Sequence, residues 1–342
     1  MSNPRALAAG LVAAVVAPIL SWSAAAGGNP VFSTVDPPDV TRRANSGTRA
    51  VFINGRGEMA GYYEIAGGSG ALNGFLREAD GTFQSFAAPD GSTDIYVHAL
   101  NDRGTILGSY VGKDLRTHGF LRKRNGGLTA IDVPGARETL AYAINSRGTV
   151  AGTADGSGFV MTARGAVSTF RPQGAVTTVA CGLNDAGEVG GVYFDSNEVA
   201  HGFKRSANGE ITAFDAPGSA KTFASTISGS GDIGGYFVDG SHVMHGYVRH
   251  NDGSFAAADL PNAQETSVGN LREGNAAGSF REAGNRHGFI REASGTMIRI
   301  DFPGARYSML SQLGPRGSAV GTYYDSHNVS HGFLLRGPAT QD

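Results

Sequence analysis

Three observations predict an all-β fold. A turn of the form Ile/Leu-Asn-x-x-Gly recurs at intervals of 39 to 47 residues, a Gly-aromatic cluster sits in each interval, and one repeat unit is divided between the two ends of the chain. Together they specify a seven-bladed β-propeller with four-stranded blades, its ring closed by an N-terminal strand that completes the last blade.

The turn is intact at Ile53-Asn54, Leu100-Asn101, Ile144-Asn145 and Leu183-Asn184, and degenerate at Ile227-Ser228, Leu271-Arg272 and Leu313-Gly314. Its period is too long for a leucine-rich horseshoe and lies in the propeller range. A first strand precedes each turn, as in the run from Thr139 to Ile144, and a second follows it, as in the run from Thr105 to Tyr110. The third strand carries Asn73-Gly74-Phe75, His118-Gly119-Phe120, Ser157-Gly158-Phe159, His201-Gly202-Phe203, His245-Gly246-Tyr247, His287-Gly288-Phe289 or His331-Gly332-Phe333. A fourth ends in an Asp-x-Pro turn, as at Asp132, Asp215 and Asp301, where proline stops the ladder without losing a needed donor. The close turn spacing and the lack of a 3.6-residue period exclude a helical solenoid.

The last unit stops after its third strand, near Arg336, and the missing fourth strand with its Asp-Pro turn stands at Ser33 to Pro38. An open solenoid would need polar caps and gains nothing from a split unit, whereas a ring covers edges that would otherwise template aggregation.

The combination Ile-Asn-x-x-Gly, Gly-x-Tyr, His-Gly-Phe-Leu-Arg and Asp-x-Pro-Gly-Ala resembles the bacterial extracellular repeat proteins named for a His-Ala-Phe motif, the HAF-repeat type, with Gly in the middle place. The resemblance covers roughly residues 32 to 336. It implies export and a repeated β architecture, and it carries no general activity or catalytic residue to this chain.

Arg5, an apolar run from Ala6 to Leu20 and the small residues ending at Ala26 read as a secretory signal peptide over 1–26, leaving 27–342 as one domain. The run is too short to span a bilayer, so no membrane insertion is expected after cleavage, and the location is secreted or periplasmic. Of 342 residues 40% are hydrophobic and 17% charged, which suits a folded core. Without Arg5 the chain has 27 basic against 30 acidic side chains and no basic run, which disfavours nucleic acid as a partner. Cys181 is the single cysteine, so no intramolecular disulfide forms and a monomer held by packing is expected.

Hairpins between second and third strands should share a face with the Asp-x-Pro turns, opposite the Asn-x-x-Gly turns. Their apparent variety makes that face the candidate ligand surface, with Asp195, Asn197, His201, Asp239, His245, Asp325, Asn328 and His331 as candidate ligand-binding residues. Histidine in five of seven units argues for a repeated structural hydrogen bond rather than catalysis, which needs one constellation. Arg77, Arg122, Arg205, Arg249 and Arg291 read as solvated strand ends, and Tyr193, Tyr236 and Tyr323 as core. No metal or cofactor is expected. The Asp195 and Asp325 segments lack calcium-loop spacing, and no Cys-x-x-Cys or His-Glu-x-x-His occurs. Gly229-Ser230-Gly231-Asp232-Ile233-Gly234 matches the dinucleotide fingerprint formally, but a strand follows it instead of a helix.

Two functions fit this scaffold. One is a secreted non-catalytic binding or interaction module with a glycan or a protein as ligand. The other is a secreted carbohydrate-active enzyme, a polysaccharide lyase or hydrolase, which would show an irregular acid, base and cation cluster at the channel. The second unit, with Asp94, Tyr96 and His98, is the most irregular, and fold alone does not choose.

Trp22 is the only tryptophan and precedes the expected cleavage site. Protein recovered from the medium or periplasm should therefore show tyrosine-like emission alone. Tryptophan emission from that material would show that the leader is retained.

Overall fold

The structure, a computed structural model, describes residues 20–21, 31–67 and 70–337. The expected signal segment 1–26, with its cleavage site, lies outside the described residues apart from Leu20–Ser21. Strands dominate; among the described residues the one helical segment is the 3-10 turn Pro315–Gly317, and no helix is long and apolar enough to cross a membrane.

Five sheets have four strands each, paired antiparallel. The first runs Thr48–Ile53, Met59–Glu64, Leu72–Arg77 and Phe83–Phe86. The next three repeat this plan from Asp94–Leu100, Thr139–Ile144 and Thr177–Leu183 outward. The fifth consists of Tyr307–Leu313, Ala319–Tyr324 and Ser330–Arg336, with Val31–Val35 paired to the last of these as its outermost strand. The remaining sheet has nine strands. It holds one meander starting at Ser219–Ile227 and another starting at Glu265–Arg272, joined by the single parallel pair Met244–Glu265. Leu20–Ser21 pairs in parallel with its outer strand Met297–Ile300.

Each apolar face is buried against the neighbouring sheet in sequence. Ala60 and Leu76 pack with Ile95 and Val97, Leu107 with Ala141 and Phe159, and Ala151 with Ala180 and Phe203. Val248 packs with Val268 and Phe289, and Ala277 with Leu310 and Phe333. Val51 and Ile53 of the first sheet pack with Val320 and Leu334. The aromatic residue after each central glycine of the third strands is sealed inside: Phe75, Phe120, Phe159, Phe203, Phe289 and Phe333 are 0% exposed and Tyr247 is 1% exposed. Burying such a ring contributes roughly 1.5–3 kcal/mol. At Gly74, Gly158 and Gly202 the glycine is needed because the outer strand's aromatic ring lies over it; a Cβ at Gly202 would stand 2.4 Å from the Phe214 ring.

Every first strand carries a β-bulge, for example between Ala180 and Gly182 opposite Gly191 and Gly190, which raises the local twist of that strand. Glycine on the facing second strand accommodates it, since a Cβ at Gly191 would lie 2.1 Å from the Val179 carbonyl oxygen.

The Asn-x-x-Gly turns form a ladder between units. Asn145 Oδ1 accepts from the Arg147 and Thr149 amides of its own turn, while its Nδ2 donates to the Asn184 carbonyl at 3.1 Å. Asn54 donates likewise to Asn101, Asn101 to Asn145, and Asn184 to Ser228. Beyond Ser228, whose side chain bonds only within its own turn, other side chains make the link. Asn270 Oδ1 accepts from the Leu313 amide at 3.0 Å and Gln312 Oε1 from the Ile53 amide at 2.9 Å. The connection is thus kept between the last units and back to the first through a different residue, while among the described residues no such bond joins the Ser228 turn to the Leu271 turn.

Of the five arginines expected as solvated strand ends, Arg122, Arg205 and Arg249 are instead drawn between sheets, while Arg77 lies 5.8 Å from the Phe83 ring of its own sheet. Arg122 lies 5.0 Å from the Phe86 ring, Arg205 5.1 Å from Phe170 and Arg249 4.7 Å from Phe214, each ring belonging to the preceding unit. Burial lowers the pKa of Arg122 and Arg205, and the aromatic face compensates part of the lost hydration.

Asn145→Asp keeps the acceptor for its own turn and loses the donor to the next. It should cost about 1–3 kcal/mol, read as a lower urea midpoint at unchanged slope. A midpoint equal to that of the native protein would remove the ladder's stabilising role.

Candidate functional site

The recurrent histidines sit at the start of third strands, and each is held on two or three sides. Nδ1 lies 2.9 Å from Asp132 at His118, 2.9 Å from Asp215 at His201, 2.7 Å from Asp259 at His245, 2.8 Å from Asp301 at His287 and 2.6 Å from Asp36 at His331. The imidazoles pack on the second-strand rings of Tyr110, Tyr193, Phe237, Phe280 and Tyr323, with centroids 4.8–5.2 Å apart. On the other side Nε2 meets the hairpin carboxylates, at 3.0 Å for Asp114, 3.4 Å for Asp239, 3.8 Å for Asp195 and 3.6 Å for Asp325. The arrangement fastens the outer-strand turn to the hairpin and leaves little of the ring for a ligand.

The hairpin carboxylates are occupied as well. Asp195 Oδ1 accepts from the Asn197 and Val199 amides, Asp239 Oδ1 from Ser241 and Val243, and Asp325 Oδ1 from His327 and Val329. Each loop places its fourth residue in the left-handed region, with φ of 60° at Glu198, 65° at His242 and 63° at Asn328. These three loops are thus one hairpin type repeated, and the variety lies in other units, with two-residue turns at Asp155-Gly156 and Ala283-Gly284 and a longer connection between Glu64 and Leu72. The loop before His245 has the same length as those before His201 and His331, because its strand ends one position later, at Phe237 and Val238. Phe237 pairs with His245 as Tyr193 does with His201, while Tyr236 turns to stack on Phe223 at 4.7 Å.

Of the eight candidates, Asn328 joins a cavity; Asp195, His201, Asp239, His245, Asp325 and His331 belong to clamps and hairpins, and Asn197 stands exposed at a hairpin tip. The cavity, about 390 Å3, opens on the face bearing these hairpins. It is lined by Arg49, Arg281, Arg286, Tyr307, Tyr324 and Asn328, with Asn45 and Met309 beside them. The Tyr307 hydroxyl donates to Asn328 Oδ1 at 2.7 Å, and the Tyr307 and Tyr324 rings lie 4.6 Å apart. Arg281 and Arg286 both approach Glu265, at 3.4 and 3.6 Å. These residues come from the sheets starting at Thr48, Glu265 and Tyr307, and no repeated motif contains the arginines.

A second cavity, about 250 Å3, lies at the Asn-x-x-Gly turns and is lined by one or more residues from every repeat: Ile53, Leu100, Ile144, Leu183, Ile227, Leu271 and Gln312.

The irregular second unit places Asp94, Tyr96 and His98 at alternate positions of one first strand. Tyr96 packs on Tyr62 at 5.4 Å, and His98 Nε2 lies 2.8 Å from Ser109 Oγ. Burial pulls the His98 pKa down to about 4, so the ring is neutral at physiological pH, but Ser109 is 2% exposed and cannot meet a substrate as a nucleophile. Burial likewise pushes the Cys181 thiol up to about 12, which keeps it protonated and inert. Among the described residues no three His, Cys, Asp or Glu side chains converge as metal ligands.

The clamps make stability pH-dependent. For His118 and His245 burial opposes protonation, but hydrogen bonds to their aspartates prevail and raise the pKa; for His331 the Asp36 hydrogen bond is the main cause of the rise. A raised pKa adds stability that is complete below the unfolded value of 6.5 and disappears as pH climbs through the folded one. Asp114, Asp239 and Asp325 are lowered below 3.8, so their contribution disappears in acid. Melting temperature should peak between about pH 4.5 and 6.5 and fall towards pH 9. His331→Gln should flatten the alkaline limb; a native profile that is flat from pH 6 to 9 would contradict the clamp electrostatics.

No protein-family profile and no curated protein sequence matches the chain. Solved structures do. A streptogramin B lyase structure is 15% identical with a TM-score of 0.64, covering 90% of this chain and 98% of that one. A catalytically inactive virginiamycin B lyase from Staphylococcus aureus with quinupristin is 12% identical, with a TM-score of 0.56 and 90% and 99% coverage. The β-propeller domain of the Trilobed protease from Pyrococcus furiosus is 9% identical, with a TM-score of 0.61 and 87% and 95% coverage. At such identities the likeness shows the fold alone: this chain is an all-β protein of the β-propeller type.

Proposed function

We propose that the chain is an exported, non-catalytic binding module of the HAF-repeat type, built as seven blades in a ring closed by its N-terminal strand, and that it takes a glycan at the mouth of the ring. The ring is supported by the pairing of Val31–Val35 with Ser330–Arg336, by the shared core of the first and last units, and by the cavity to which all repeats contribute.

The observation that carries the binding reading is asymmetry. Histidines and aspartates that repeat are engaged in clamps, whereas Arg49, Arg281, Arg286, Tyr307 and Tyr324 line one open cavity and repeat nowhere. A lyase or hydrolase needs a free acid and base at its cavity. The carboxylate beside this one, Glu265, is paired with two arginines.

The test is a glycan array with the purified protein, combined with an assay for new reducing ends on the bound glycans. Retention without cleavage is expected, with loss of binding in Tyr307→Ala/Tyr324→Ala and retention in Asn197→Ala, all at similar melting temperatures. Reducing ends that appear with enzyme concentration would replace this reading with the enzymatic one.

A further inference from the structure

The geometry points to an acidic oligosaccharide, one bearing carboxylate or sulfate groups, as the ligand of the Arg49–Arg281–Arg286 cavity; this rests on the binding reading above. The protein as a whole has a formal net charge of −2, yet this cavity gathers three guanidinium groups. Glu265 balances one charge between Arg281 and Arg286, whose side chains remain 42% and 41% exposed. Arg49 donates to the Asn45 carbonyl and, among the described residues, to no carboxylate. An excess of about two positive charges thus faces the cavity, in a concave setting that concentrates their field.

The type of cation narrows the ligand further. Arginine presents a planar fork that holds a carboxylate or sulfate through two parallel hydrogen bonds, and it gives up hydration more readily than lysine. Tyr307 and Tyr324 add apolar ring faces beside the forks, held by Asn328, which accepts from the Tyr307 hydroxyl and donates to Asn45 Oδ1, so that the Asn45 amide N–H groups are left to meet hydroxyl groups. About 390 Å3 falls among small-molecule clefts, which span roughly 300–1,000 Å3, and favours one or two acidic sugar units over an extended peptide. Gly284 on the rim leaves the entrance open, with no atom within 4 Å of where a Cβ would stand.

The experiment is calorimetric titration of the full chain with three probes of equal length: a uronic acid tetramer, the same tetramer with its carboxyl groups reduced, and a sulfated neutral tetramer. The acidic tetramers should bind and the reduced one should bind at least about tenfold more weakly. Arg49→Gln should weaken acidic binding by a similar factor without moving the melting temperature, as should raising salt from about 50 to about 500 mM. Tighter binding of the uronate or of the sulfated probe identifies which anion the forks hold. Equal binding of the reduced tetramer, still lost in Tyr307→Ala, would overturn the acidic ligand while leaving the cavity as a glycan site. Acidic binding that survives both Arg49→Gln and Arg286→Gln would overturn this assignment and the location of the site together. Binding of none of the three, in a protein that retains neutral glycans on the array, would overturn the acidic ligand alone.

Discussion

The core of this protein lies between its meanders: the apolar face of each is covered by the next in sequence, and the first is covered by the last, so Val51 and Ile53 are buried by Val320 and Leu334 from the far end of the chain. Every other feature serves that mutual burial. The third-strand rings fill the gaps, the arginines Arg122, Arg205 and Arg249 bridge to the preceding unit's phenylalanines, and the asparagine ladder fixes the spacing at the inner turns. The hydrophobic contribution is spread over many equal interfaces, so no single one dominates.

Repetition and asymmetry separate scaffold from site. A side chain that recurs in most units answers a requirement of each unit. The histidine clamp joins three segments of one unit: the second-strand aromatic, the hairpin carboxylate and the outer-turn aspartate. At His331 the aspartate is supplied by Asp36, which also accepts from Thr48 Oγ1 at 2.7 Å and so touches three segments distant in sequence. The mouth cavity obeys no repeat. Its arginines come from different strands and from positions that hold other residue types elsewhere in the chain.

Much of the architecture was legible in the sequence because turns and buried rings leave short, periodic signatures. Asn145 had to be asparagine, acceptor and donor at once, and Gly202 had to lack a side chain beneath Phe214. The clamp leaves a signature in the spacing too: His118, His201, His245 and His287 are each followed after fourteen residues by their aspartate. Tyr236 was misleading because Phe237 is equally apolar, and identity alone does not reveal which of two adjacent aromatics faces the histidine. The arginines looked like solvated ends because their partners lie in another unit, and the cavity was hidden because Arg49 and Arg286 are far apart in sequence. Such a site becomes visible only when the first and last sheets pack together.

The pairing of Ser33 with Leu334, separated by 301 residues, has a kinetic consequence. A chain that emerges from its N-terminus presents Val31–Val35 long before the strand it must join exists. That strand waits, unpaired, while the intervening units form local meanders from contacts only a few tens of residues apart. Joining the two ends is then a single long-range event with high loop-closure cost, slower than any earlier step. Until it happens, the edge at Ser330–Arg336 is open to any extended segment nearby, including the same strand from a neighbouring molecule. Crowding among newly made chains thus bears on whether Val31–Val35 pairs with Ser330–Arg336 of its own molecule or of a neighbour.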